Sequence, residues 1–122
     1  MKRLVMIVGL LVGFVALTQA QEDVTVIKLD QTPGKFKKEG LNLKPGKYIF
    51  EVTNVGVDHE LGFVIAPVND GKEGSHIKSG YLANAIKDGE TSRSKVVVLE
   101  EGTYNYFCPL NPTPHYQITV KK

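Results

Sequence analysis

From Val24 to Val120 the chain is a succession of short runs rich in β-branched and aromatic residues, each closed by Gly, Pro, Asn or Asp. Nowhere does a long apolar period of 3.6 residues run through it, which argues against helices. Val24 and Val26, with Lys28, alternate in a first strand, and Gly40 to Leu43 precedes a Lys44-Pro45-Gly46 turn. Tyr48 to Thr53 suits a pleated, half-buried surface, and Asn54 to Gly56 turns the chain. The run from His59 to Ile65 makes another strand, closed by Ala66-Pro67. Residues 68–80 form a polar excursion, and Tyr81 to Ile86 is either one helical turn or irregular. Ser94 to Leu99, Thr103 to Cys108 and Tyr116 to Val120 complete about seven short strands. An all-β sandwich follows, because strands with one apolar face must bury it against a second sheet.

The amino terminus reads differently. Lys2 and Arg3 precede an almost unbroken apolar stretch from Leu4 to Leu17, and Thr18-Gln19-Ala20 offers a small-residue cleavage site. That pattern predicts a signal peptide over residues 1–20 and a single domain over residues 21–122, exported to the periplasm or beyond. Left uncleaved, the stretch would be a short anchor, below the roughly 20 apolar residues a spanning helix needs. After cleavage no stable membrane insertion is expected.

About 100 residues suffice for one hydrophobic core and one site, and a monomer is expected. Without Lys2 and Arg3 the basic count falls from 15 to 13, equal to the acidic count. A neutral domain is a poor nucleic-acid or anionic-membrane binder, since both demand concentrated positive charge. Lys35, Lys37 and Lys38 read as a solvated face. The chain holds one cysteine, Cys108, so no internal disulfide forms. A lone thiol in an oxidising compartment must be buried or held by a metal.

Three metal-binding side chains sit at strand ends: His59 opens one run, Cys108 closes another, and His115 precedes the last. Strand ends at one pole of a sandwich can converge. A thiolate with two imidazoles is a donor set that copper favours for electron transfer, although zinc also takes Cys and His with an open position. Each residue has a plainer role available: His59 hydrogen-bonded to a carbonyl, His115 an exposed loop residue, Cys108 a small buried apolar group. His76 lies in the polar excursion and is expected in solvent. Tyr104, Tyr106 and Phe107 read as core and rim, and Glu100-Glu101 as a solvated turn.

Four segments carry a resemblance: Lys44-Pro45-Gly46-Lys47-Tyr48, Asn54-Val55-Gly56-Val57-Asp58-His59, Asp88-Gly89-Glu90-Thr91, and Glu101 through Pro109. In order and spacing they resemble the cupredoxins, the plastocyanin and azurin-like blue-copper proteins, over most of the chain after the leader. The resemblance implies a Greek-key β-sandwich, one copper ion, His59 as the first ligand and Cys108 as the thiolate. It also implies a mobile electron carrier with a redox protein partner and no substrate turnover.

The segment after Cys108 departs from that pattern. Pro109-Leu110-Asn111-Pro112-Thr113-Pro114-His115 puts Asn111 in the usual place of a histidine and His115 near that of an axial methionine. Both methionines, Met1 and Met6, lie in the leader, so an axial thioether is excluded. Two geometries stay open. His115 takes the equatorial position with a weak axial oxygen from the Asp58 region, Asn111 or Gln117; or His115 enters axially and Glu60 or water completes the shell. Strand alternation aims His59 and Glu60 at opposite faces. Besides the electron carrier, the residues admit a copper-binding or delivery protein, and a metal-free binding module. An enzyme is disfavoured, because no nucleophile turn or second cysteine accompanies Cys108.

Overall fold

The computed structural model describes residues 23–122; the predicted leader and its cleavage site lie outside the described residues. Among the described residues no helix is long and apolar enough to cross a membrane. Ten strands follow one another: β1 (Val24–Thr32), β2 (Lys35–Phe36), β3 (Leu41–Leu43), β4 (Gly46–Asn54), β5 (Val64–Asn69), β6 (Lys72–Glu73), β7 (Thr91–Arg93), β8 (Val97–Leu99), β9 (Gly102–Phe107) and β10 (Tyr116–Val120). They form two five-stranded sheets. One runs β2-β1-β4-β7, with β8 also on β4, and the other runs β3-β10-β9-β5-β6. The expected β-sandwich is present, with short extra strands beyond the seven expected.

Both sheets are mixed, since β1 lies parallel to β4 and β3 parallel to β10. Period-two alternation fills the space between them. Tyr48, Phe50, Val52 and Asn54 point inward from β4, while Ile27, Leu29 and Gln31 do so from β1. The first strand therefore buries the opposite parity from Val24, Val26 and Lys28. Its register with β4, from Val24 opposite Lys47 to Gln31 opposite Asn54, sets that parity. Aromatic rings join the layers: Phe63 packs on Phe50 at 5.2 Å between centroids, and Phe36 meets Tyr106 edge-on at 5.3 Å. Tyr106 is fully buried, and its hydroxyl donates to the Lys38 carbonyl at 2.6 Å while accepting the Gly40 N–H at 3.0 Å. Burial pushes this phenol above its ordinary pKa, against the Gly40 hydrogen bond.

Three segments differ from the sequence expectation. The strand predicted from His59 begins only at Val64; residues 59–63 are irregular apart from an isolated bridge between Leu61 and Ile86. Ser94 to Leu99 is broken, because β7 and β8 pair with different stretches of β4 and the Ser94 hydroxyl accepts the Phe50 N–H between them. The polar excursion contains a hairpin. Asp70 and Gly71 both have positive φ, as a two-residue turn between β5 and β6 requires. A 3-10 turn at Lys78–Gly80 follows, and Tyr81 to Ile86 is irregular, tied to neighbouring backbone by bridges at Leu82 and Ile86.

Gly80 shows how tightly that excursion is seated. A Cβ there would stand 2.4 Å from Cγ2 of Ile65, which is fully buried in β5 and has no room to rotate away. Gly80→Ala is expected to destabilise the fold by about 1–3 kcal/mol, read from the urea unfolding midpoint. An unchanged midpoint would mean that the 78–80 turn lifts off the sheet at no cost.

Candidate functional site

At one pole of the sandwich the inward rows of β1 and β4 end in amides instead of apolar side chains. Gln31 and Asn54 are fully buried and opposite one another in register. Buried amides must be hydrogen-bonded, and these two hold the loops that carry the candidate ligands. Asn54 Nδ2 donates to the carbonyls of Val57, His59 and Ile86, while Oδ1 accepts the Val57 N–H. Gln31 Nε2 donates to the Gly62 carbonyl at 3.3 Å, and its Oε1 accepts Asn111 Nδ2 at 3.1 Å.

Asn111 is buried, and its amide is committed. Nδ2 also donates to the Thr32 carbonyl, and Oδ1 accepts the N–H of Gly34, each at 3.1 Å. Gly34 has φ +74, a conformation that favours glycine and turns its N–H toward Asn111. The amide is thus occupied as a brace to β1. Sequence reasoning missed this trio: Asn54 continues the inward parity of Phe50-Val52 and was readable, whereas Gln31 was not, because the register with β4 sets the parity of β1.

Cys108 follows β9 and shares the inward parity of Tyr106; it is 4% exposed. Prolines at 109, 112 and 114 leave few backbone donors in the loop. Those of Leu110 and Asn111 both reach Cys108 Sγ, at 3.4 and 3.2 Å, and the Cys108 N–H donates to Thr113 Oγ1 at 3.1 Å. Two N–H groups thus converge on one sulfur.

The other candidates have partners of their own or face solvent. His59 is exposed, its Nδ1 lies 3.1 Å from the Glu60 carbonyl, and with Asp58, Glu60, Lys87 and Asp88 it lines an open groove of about 350 Å³. Glu60 shares that groove, so the expected opposite orientation of the pair fails, since residues 59 and 60 are not in a strand. The 59–62 loop does border the cysteine loop: a Cβ on Gly62 would sit 3.7 Å from the Pro109 ring. Gln117 is exposed on β10, its Nε2 on Thr119 Oγ1.

His115 lies on the outer face of β9. Its ring stacks on Phe107 at 3.8 Å and 1°, and its Nδ1 bonds Glu73 Oε2 at 2.5 Å. Phe107 and Cys108 are consecutive, so alternation sends them to opposite faces; that is why His115 is separated from the sulfur. Asn105, on the outer parity of Phe107, donates to the same Glu73 oxygen at 2.7 Å. His76, exposed as expected, packs edge-on against Phe107 and bonds the Tyr81 hydroxyl at 3.0 Å. Among the described residues no three His, Cys, Asp or Glu side chains are gathered as a metal ion requires.

A family model for copper binding proteins of the plastocyanin/azurin family matches residues 24–121. Auracyanin B superposes with a TM-score of 0.64 at 12% identity, covering 86% of this chain and 94% of that one. Auracyanin A, a "blue" copper protein from the green thermophilic photosynthetic bacterium Chloroflexus aurantiacus, gives 0.63 at 13%, with 81% and 100% covered. An azurin from the obligate methylotroph Methylomonas sp. strain J gives 0.56 at 12%, with 80% and 98% covered. At such identities these likenesses concern the fold. No curated protein matches the sequence.

Two expectations follow. Asn111→Ala strands Gln31 Oε1 and the Gly34 N–H inside the protein and is expected to cost about 2–3 kcal/mol, measured by denaturant unfolding; a loss below 0.5 kcal/mol, roughly that of an exposed site, would show the brace to be dispensable. For Glu73, burial works to raise the pKa. The hydrogen bonds from Asn105 and His115 and the field of His115 and His76 outweigh it, and the carboxyl lies below its ordinary 4.5. A depressed acid stabilises fully above that value and loses the effect as pH falls through the lowered one. Glu73→Gln should therefore flatten the stability profile below pH 4.5, and an unchanged acid limb would disprove the coupling.

Proposed function

The chain belongs to the plastocyanin/azurin family of copper-binding proteins, and from that premise we propose that it is an exported protein that holds one copper ion as Cu(I). The observation that carries this reading is the buried Cys108 sulfur with the Leu110 and Asn111 N–H groups turned onto it. Thiolate is the donor Cu(I) prefers. His59, on the adjoining loop that Asn54 anchors, is the second donor. Asn111 is committed elsewhere, and His115 is engaged with Glu73 on the other face of β9. On this reading no third donor for Cu(II) stands ready among the described residues.

The chain's own residues do the following. Leu110 and Asn111 aim their N–H groups at Sγ, the sandwich keeps water from it, and the prolines limit how far the loop can relax around it. Bound copper would supply a soft cation that keeps the thiol ionised. The role that follows is copper holding or delivery, with no substrate transformed. Export of the domain over residues 21–122, to the periplasm or outside the cell, is supported by Lys2-Arg3, the apolar stretch to Leu17 and the Thr18-Gln19-Ala20 site.

A second reading, the electron carrier, is favoured by family membership and by the exposure of His115. It requires His115 to leave Glu73 and reach Cys108, and it adds a redox protein partner. Titrating purified protein with Cu(I) against a coloured competing chelator separates the readings. One equivalent is expected to bind, Cys108→Ser to abolish binding, His59→Ala to weaken it at least tenfold and His115→Ala to leave it unchanged. An intense thiolate-to-copper(II) absorption band and a reversible redox wave, both lost in His115→Ala, would overturn Cu(I) holding in favour of the carrier.

A further inference from the structure

The 3-10 turn and the break between β7 and β8 enclose a half-open groove of about 540 Å³, lined by Lys78, Ser79, Tyr81, Leu82, Ala83, Arg93, Ser94 and Lys95; Tyr81 and Leu82, at one edge of it, also adjoin Gly62 and Pro109 of the cysteine pole. Its lining has three cations and no acid, in a domain whose total charge is near zero. Arg93 is partly neutralised by Glu51, at 2.8 Å. Lys78 and Lys95 make no ion pair among the described residues. The groove is also preformed. The Ala83 N–H donates to the Arg93 carbonyl, Leu82 and Ser94 form a backbone bridge, and Gly80 is wedged on Ile65. Tyr81 is 42% exposed, a large apolar surface left beside the two lysines.

Such a set recognises one chemistry. Unpaired ammonium groups attract an anion, and an exposed aromatic ring beside leucine and alanine adds a face for a planar apolar body. We propose that this groove binds a small aryl anion, its charged group between Lys78 and Lys95 and its ring against Tyr81 and Leu82. The inference is independent of copper, since neither Cys108 nor His59 lines the groove.

Phenyl phosphate is the probe, titrated into the purified protein and followed by amide chemical shifts, with inorganic phosphate and a short polyglutamate peptide in parallel. Saturable shifts confined to residues 78–83 and 93–95 are expected. Lys78→Gln with Lys95→Gln should weaken binding at least tenfold, Tyr81→Ala at least threefold, and added salt progressively. Both lysines are exposed, so their replacement leaves the fold intact, which the unchanged shifts elsewhere will register. Inorganic phosphate binding as tightly as phenyl phosphate would overturn the aryl site. Polyglutamate binding in place of phenyl phosphate would overturn it in favour of an acidic protein partner, and the absence of saturation with all three would overturn it outright.

Discussion

The hydrogen bond between Gln31 and Asn111 is the joint on which the cysteine pole depends. It links the first strand to a loop eighty residues later in the chain, and both amides are buried. An interior amide left unpaired costs more than the bond itself contributes, so the two side chains specify each other. Through Thr32 and Gly34 on one side and Gly62 on the other, this contact aligns β1, the 59–62 loop and the cysteine loop. Asn54 does the same for the loop that bears His59. The donors of the site are held by amides around it.

Consecutive residues divide the labour on β9. Tyr106 and Cys108 face the core, whereas Asn105 and Phe107 face out and gather Glu73, His115 and His76. The inward side is apolar and guards a thiol; the outward side is a polar cluster with an aromatic centre. His115 belongs to the second because its ring finds a coplanar partner and its nitrogen a carboxylate. Strand parity thus separates His115 from Cys108.

Much of this could be read from residues alone. The sandwich, β10 with its bounds, and β4 within a residue or two follow from β-branched alternation and from Gly and Pro punctuation. Cys108 and its burial follow from its place after an alternating strand. Parity at β1 was not legible, because Val24 and Val26 look as apolar as Ile27 and Leu29, and only the parallel register with β4 chooses between them. His59 was misassigned to a strand since Leu61 and Phe63 mimic alternation; the loop is instead held by carbonyl contacts to Asn54 and Gln31. The position of His115 rests on Glu73, distant in sequence and brought close by the β5–β6 hairpin, a tertiary fact that local pattern does not contain.

The order β3-β10-β9-β5-β6 places the final strand inside a sheet, bonded to β3 on one side and β9 on the other. Until Tyr116 to Val120 has been made, β3 has no neighbour and Leu41, Leu43 and Tyr104 have nothing to close over them. Pairing across so long a stretch is slow, because the loop must close before the contact rewards it. In a chain with this topology that sheet stays open until β10 pairs with β3 and β9. The same strand order that completes the sandwich also delays it.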